Sequence, residues 1–173
     1  MNEQKIAVIG MGMWGKNIVR NFYNLNALEM VCDLDDDSLK SVQEQFPGVK
    51  VTKDFNDIIN NKEITGVAVV TPSHTHFKIV KAMLEAGKNV YVEKPISTVA
   101  EEARVLTELA ESKGLVLMVD HLLLYHPAVN RLKMLIEEGV LGDLVYAQSD
   151  RLNVNYHKND RSVMWDLAPH DVS

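Results

Sequence analysis

Residues 5–15 read Lys-Ile-Ala-Val-Ile-Gly-Met-Gly-Met-Trp-Gly, an apolar β-branched run that opens directly into Gly10-x-Gly12-x-x-Gly15. Each glycine answers a physical demand. The first permits a tight turn, the second lets backbone approach a pyrophosphate, and the third lets the following helix pack against its strand. An anion bound there would sit on a helix N-terminus. Glycines also cluster in ordinary loops, so the flanks matter: strand character precedes the motif, and Lys16 to Asn21 continues without a breaker. Met11, Met13 and Trp14, between the glycines, are expected in the same cofactor-binding loop.

A second apolar segment, Leu28 to Cys32, ends at Asp33, eighteen residues beyond Gly15. That is close to the spacing of about 20 for the carboxylate that bonds a dinucleotide's adenosine ribose. Asp33 is therefore read as the ribose ligand, with Leu34 beside it. Asp35, Asp36 and Asp37 add negative charge, and no arginine is near to neutralise a 2′-phosphate, so NAD is expected over NADP. For these three the plainer reading is a solvated acidic turn.

With 173 residues and 46% hydrophobic content the chain has material for a packed core. Eighteen basic residues against 24 acidic give a net charge of −6, and the basic ones are scattered, which argues against nucleic acid or an anionic membrane as partner. Cys32 is the lone cysteine, so an intrachain disulfide is excluded. No basic-then-apolar leader precedes the first strand and no run approaches the roughly 20 apolar residues of a bilayer span, so the expected compartment is the cytoplasm.

Farther along, the chain alternates strands and helices. Ser38 to Gln45 reads as a helix stopped by Pro47-Gly48, Val49 to Thr52 as a short strand, and Asp54 as the N-cap of a helix to about Asn61. Gly66 to Val70 is almost wholly apolar, as a parallel strand buried on both faces requires. A helix from about Thr75 to Ala86, a strand at Asn89 to Val92, and a helix from Thr98 with Glu101 as its capping box follow. That helix stops at Gly114, and Leu115 to Val119 is the sixth strand. The alternation implies an α/β, doubly wound parallel (Rossmann) sheet over residues 1–121. Its ligands gather at the carboxyl ends of the strands, where Thr71-Pro72-Ser73, Glu93-Lys94-Pro95 and Asp120-His121 emerge. Residues 122–173 read as the truncated beginning of an α+β substrate and oligomerisation domain. In it Pro127 opens a helix to about Gly139, and 143–154 form one long strand in need of a partner.

Lys94 is the first candidate for chemistry. Beside a cationic oxidised nicotinamide, a partly buried lysine has its charged form disfavoured, so it can accept or relay the proton lost when an alcohol becomes a ketone. Pro95 fixes the backbone there, and a cis Lys94-Pro95 bond would aim the lysine. Asp166 and His170, four apart, would share a face on a continuous helix, but Pro169 disfavours that, so the helix is expected to begin at Pro169 with Asp166 on its approach. Histidine suits proton transfer, and a nearby carboxylate could orient it. His74 and His76 flank a strand-to-helix turn, where capping or cofactor contact is expected; no metal site is indicated. Tyr125, His126, Arg151, Asn153, Asn155 and Tyr156 suit either a polyhydroxylated substrate or an exposed sheet face.

Together these elements resemble the glucose-fructose oxidoreductase and inositol dehydrogenase family, Gfo/Idh/MocA. The resemblance rests on the glycine motif, Thr71-Pro72-Ser73 with His76, Glu93-Lys94-Pro95, the Gly139-x-x-Gly142 turn before a long strand, and Asp166-x-x-x-His170. It implies that Lys94, Asp166 and His170 are catalytic, with His170 as acid or base and Lys94 positioning the substrate hydroxyl. By the same resemblance Glu93, Ser73 and His121 lie near the nicotinamide and Gly10, Gly12, Gly15 and Asp33 hold the rest of the cofactor. The expected reaction is NAD-dependent oxidation of a secondary alcohol on a sugar, cyclitol or nucleotide sugar. Two rivals are an NAD-using glycosidase of the same family and a non-catalytic dinucleotide-binding regulator. Family members continue for well over a hundred residues beyond this point, building an open antiparallel sheet that forms a substrate wall and an oligomer interface. A homo-oligomer is thus expected of the complete protein, and this shorter chain is expected to turn over poorly alone.

Overall fold

The computed structural model describes residues 4–150 and 163–172. Six short strands pair in parallel: β1 (Ile6–Ile9), β2 (Leu28–Cys32), β3 (Lys50–Thr52), β4 (Gly66–Val69), β5 (Asn89–Val92) and β6 (Leu117–Val119). Their order across the sheet is β3-β2-β1-β4-β5-β6. The connections are helical: α1 (Gly15–Asn24), α2 (Asp36–Gln45), α3 (Asn56–Asn60), α4 (Ser73–Glu85) and α5 (Ala100–Lys113). This is the doubly wound Rossmann sheet that the alternation of elements predicts. Its topological switch point falls between β1 and β4, where successive strands depart to opposite sides.

Period-two alternation divides the core between two faces. Val8, Val31 and Ala68 pack with Val19 of α1 and with Leu39 and Val42 of α2. On the other face Ala7, Ile9, Val67 and Val69 meet α4 through Val80, Met83 and Leu84, and meet α5 through Leu106. All four residues of β4 are buried, as a central strand demands. Each fully buried aliphatic side chain contributes about 1.5–3 kcal/mol, and this core holds the strand ends that carry the site.

Local chemistry moves several boundaries. The acidic turn is the start of α2: Asp35 is its N-cap, accepting from the Ser38 N–H at 2.9 Å, with Asp36 and Asp37 in the first turn. Negative charge is favoured there by the helix dipole. Helix α4 begins at Ser73 rather than Thr75, because Pro72 supplies the N-terminal flank and its carbonyl accepts from both the N–H and the hydroxyl of Thr75. The capping pair of α5 is not Thr98 with Glu101. The N-cap is Val99, with no side-chain cap; ahead of it Ser97 accepts from the Val99 N–H at 3.0 Å and donates to Glu102. At the other end α5 stops at Gly114 in the left-handed region, φ 63°.

The chain divides into two units, residues 1–120 and 121–173. In the second, His126 caps α6 (Pro127–Glu137) by accepting from the Ala128 N–H at 3.2 Å. Residues 143–150 pair with no strand among the described residues, contrary to the long strand expected over 143–154. Extended backbone needs a neighbour's hydrogen bonds to become a strand, and none of the described residues supplies them there. Residues 151–154, with Arg151, Asn153, Asn155 and Tyr156, lie outside the described residues. A short helix α7 (Val163–Leu167) runs into a 3₁₀ turn at Ala168–His170. Asp166 thus sits within a helix rather than on the approach to one, and Pro169 occupies the tighter turn beyond it, so Asp166 and His170 belong to consecutive helical segments of different winding.

Candidate active site: a cleft at the switch point

The strand ends of β2, β1 and β4 enclose a cleft of about 680 Å³. Gly10, Met11 and Gly12 form one wall, Asp33, Leu34 and Asp35 a second, and Thr71 and Pro72 a third. The glycine loop is specified atom by atom. Gly10 has φ +103°, and a Cβ there would lie 2.6 Å from the Val70 carbonyl oxygen. A Cβ on Gly15 would overlap the Gly10 carbonyl oxygen, so the third glycine packs the helix start onto the loop itself. Gly12 differs, since a Cβ there meets nothing within 4 Å. Only at Gly12 does the motif keep a space open above backbone, which is what a pyrophosphate lying on the loop requires. Behind it, α1 carries no side-chain cap and no acidic residue in its first turn, leaving its N-terminal dipole to favour an anion.

Asp33 ties the loop to β2. One carboxylate oxygen accepts from the Met11 N–H at 2.5 Å and the other from the Asp35 N–H at 2.9 Å. Its neighbour Cys32 is buried, and burial, followed by the charges of Asp33, Asp54 and Asp57, pushes the thiol up to about 11. Cys32 therefore lines the cleft without acting as a nucleophile.

The remaining candidates sort by position. Met13 and Trp14 crown the loop and are largely exposed, while Ser73 is buried at the start of α4. His76 is 1% exposed and lies beneath the cleft. Its Nδ1 is 2.8 Å from the Pro95 carbonyl oxygen and its Nε2 is 2.8 Å from that of Thr71. Carbonyls only accept, so the ring nitrogen that carries the proton donates to its carbonyl. His76 thereby clamps the exit of β4 to the exit of β5, acting on the site through backbone. Glu93 and Lys94 leave the end of β5, with the Lys94-Pro95 bond cis. Burial, then the charge and hydrogen bond of Asp120, push the Glu93 carboxyl up to about 7, against the opposing pull of Lys94. In the second unit, His121 precedes a 3₁₀ turn at Leu122–Tyr125 without capping it through its side chain, and its Nδ1 has no hydrogen-bond partner among the described residues. Asp166 and His170 lie in that unit too.

Two charged cleft residues escape the sequence reading. Lys53 follows β3 and is ion-paired with Asp36 at 2.7 Å, and Lys78 lies on α4. Lys78 is recoverable from helical period, being three residues after the cleft residue Thr75. Lys53 becomes visible only once β3 is placed beside β2. Among the described residues no group of three His, Cys, Asp or Glu side chains is placed to hold a metal, and no helix is long and apolar enough to cross a membrane.

A model of an oxidoreductase family with an NAD-binding Rossmann fold matches residues 4–121. The chain belongs to the Gfo/Idh/MocA oxidoreductase family. YdgJ of Escherichia coli K12, an uncharacterized oxidoreductase, is 37% identical over 138 residues, covering 75% of this chain and 40% of YdgJ. The scyllo-inositol 2-dehydrogenase (NADP(+)) IolW of Bacillus subtilis is 27% identical over 161 residues, covering 93% of this chain and 44% of IolW. In fold, the chain is similar to scyllo-inositol dehydrogenase from Lactobacillus casei, crystallised with NAD(H) and scyllo-inositol. The TM-score is 0.76 at 24% identity, over 82% of this chain and 43% of that one. This Gfo/Idh/MocA chain thus spans less than half the length of these relatives.

Proposed function

We propose that this chain is the dinucleotide-binding part of an NAD-dependent oxidoreductase that takes hydride from a secondary alcohol on a sugar, cyclitol or nucleotide sugar. The observation that carries the reading is the switch-point cleft, with its one glycine open to the cleft above an uncapped helix N-terminus and a carboxylate at the end of β2. NAD, when bound, supplies the hydride acceptor. The backbone of Gly10 to Gly15 holds its pyrophosphate, and Asp33 accepts from the adenosine ribose hydroxyls. Thr71, Pro72, Ser73 and Glu93 continue the site across β4 and β5, roughly 14 Å from β2 at about 4.8 Å per strand, the reach of an extended dinucleotide.

Lys94 takes or relays the hydroxyl proton. His170 is assigned as acid or base and Asp166 as its orienting carboxylate by their match to the family pattern. NAD is preferred over NADP because Asp33 and Asp35 to Asp37 oppose a 2′-phosphate and Lys53 is engaged by Asp36. The complete protein is a homo-oligomer in this reading. The test uses a chain extended to the relatives' length, mixed with NAD and a panel of polyols beginning with scyllo-inositol. Formation of reduced nicotinamide is expected. Lys94→Ala and His170→Ala should lose at least about a hundredfold in rate while NAD still binds. Undiminished turnover in Lys94→Ala would refute the assignment.

A further inference from the structure

Val92 and Val119 are register partners on the last rung between β5 and β6, so Glu93 and Asp120 leave the sheet side by side. Both start from fixed backbone: the Glu93 N–H donates to Val69 O and the Asp120 N–H to Val92 O, each at 2.9 Å. The Asp120 carboxyl stands close enough to Glu93 to act on it by charge and by hydrogen bonding. An ionised carboxylate is an acceptor only, so two carboxyl groups bond to one another only when one carries a proton. Glu93 also accepts from the Lys94 N–H at 3.1 Å, which fastens the pair to the residue proposed for proton transfer.

We propose that Asp120 is a positioning residue of this site, sharing one proton with Glu93 and so setting the charge beside Lys94 and the oxidised nicotinamide. The inference rests on the dinucleotide reading above. Around Glu93, Lys94 stands on its own loop, Asp120 at the end of β6, and His76 of α4 reaches the same loop at the Pro95 carbonyl; the exit of β4, Thr71-Pro72-Ser73, carries no charge. Half-buried and faced by a second acid, Glu93 keeps its proton to about pH 7. Below that point the pair carries one negative charge. Above it the proton leaves to solvent, and the pair carries two. The added charge favours the cationic oxidised nicotinamide over the neutral reduced one. The preference for NAD over NADH therefore rises with pH by on the order of tenfold, the scale of one nearby charge under protein screening.

Two measurements on this chain test it. Carboxyl ¹³C NMR of the free protein should show one acid titrating near neutrality, moved toward the acid side in Asp120→Asn and absent in Glu93→Gln. Kd for NAD and for NADH, taken from well below to well above neutrality, should diverge through the same midpoint in the wild type and stay parallel in Glu93→Gln. Ordinary carboxylate titration of both groups overturns the proposal, as does a wild-type pH dependence of the Kd ratio in Asp120→Asn. If neither nucleotide binds at any pH, the dinucleotide reading itself fails, and the link to the cofactor with it. Binding of both with a flat ratio overturns the shared proton's role alone.

Discussion

Substituting Gly10 and Gly12 separately by alanine divides the glycine motif into its structural and its binding halves. At Gly10 the new Cβ would lie 2.6 Å from Val70 O and 2.8 Å from Val70 C, both backbone atoms of a buried strand end. The φ of +103° is also one that L side chains rarely adopt. The unfavourable dihedral costs about 1–3 kcal/mol and the overlap another 1–3 kcal/mol. Together these amount to about 2–6 kcal/mol, a large part of the 5–15 kcal/mol that holds a domain folded. At Gly12 nothing lies within 4 Å and φ is outside the left-handed region, so the stability change should stay within about 0.5 kcal/mol. The Gly12 Cβ does enter the space proposed for the pyrophosphate, and NAD affinity should fall at least about tenfold, an effect of 1.4 kcal/mol. Urea unfolding and calorimetric binding on the same samples give both quantities. Equal destabilisation by the two variants, or wild-type NAD binding by Gly12→Ala, would refute the reasoning.

Three further outcomes follow from the same geometry. Cys32, with its thiol raised to about 11 by burial and the neighbouring carboxylates, should resist alkylation at pH 8 in the folded chain and react promptly in urea; equal rates in the two states would contradict it. His76→Leu removes the ring that bridges the Thr71 and Pro95 carbonyl oxygens, which should cost about 1–3 kcal/mol in an unfolding experiment, and an unchanged unfolding free energy would contradict it. Glu93 binds its proton more tightly folded, to about pH 7, than unfolded, near 4.5, so between those values the folded state holds more protons. Its contribution to stability is therefore lost as pH rises through that window, and Glu93→Gln should flatten the slope of unfolding free energy against pH there.

Local rules disclose most of the scaffold. Apolar runs with turn residues between them locate six strands, and the glycine motif with Asp33 places two walls of the cleft, because each depends on residues adjacent in sequence. Features that depend on distant neighbours are not visible in this way. The expected capping pair of Thr98 and Glu101 does not form because α5 starts two residues later than Thr98, at Ala100, with Val99 as its N-cap. Asp35 to Asp37 read as a solvated turn, yet the dipole of α2 gives them a structural role. Asp120 looks like the last residue of a strand until the β5–β6 register sets it against Glu93. His76 has the sequence context of a cofactor contact, and only its depth shows that backbone carbonyls claim both ring nitrogens. Residues 143–150 carry a strand's alternation without a strand partner among the described residues.

Calorimetric titration of this 173-residue chain with NAD and with NADP, beside Asp33→Ala, tests the central claim most directly. The account predicts saturable one-site binding of NAD, weaker binding of NADP, and loss of NAD affinity in the variant as the ribose hydroxyls lose their acceptor. No heat from either nucleotide, or NAD binding that Asp33→Ala leaves untouched, would contradict it.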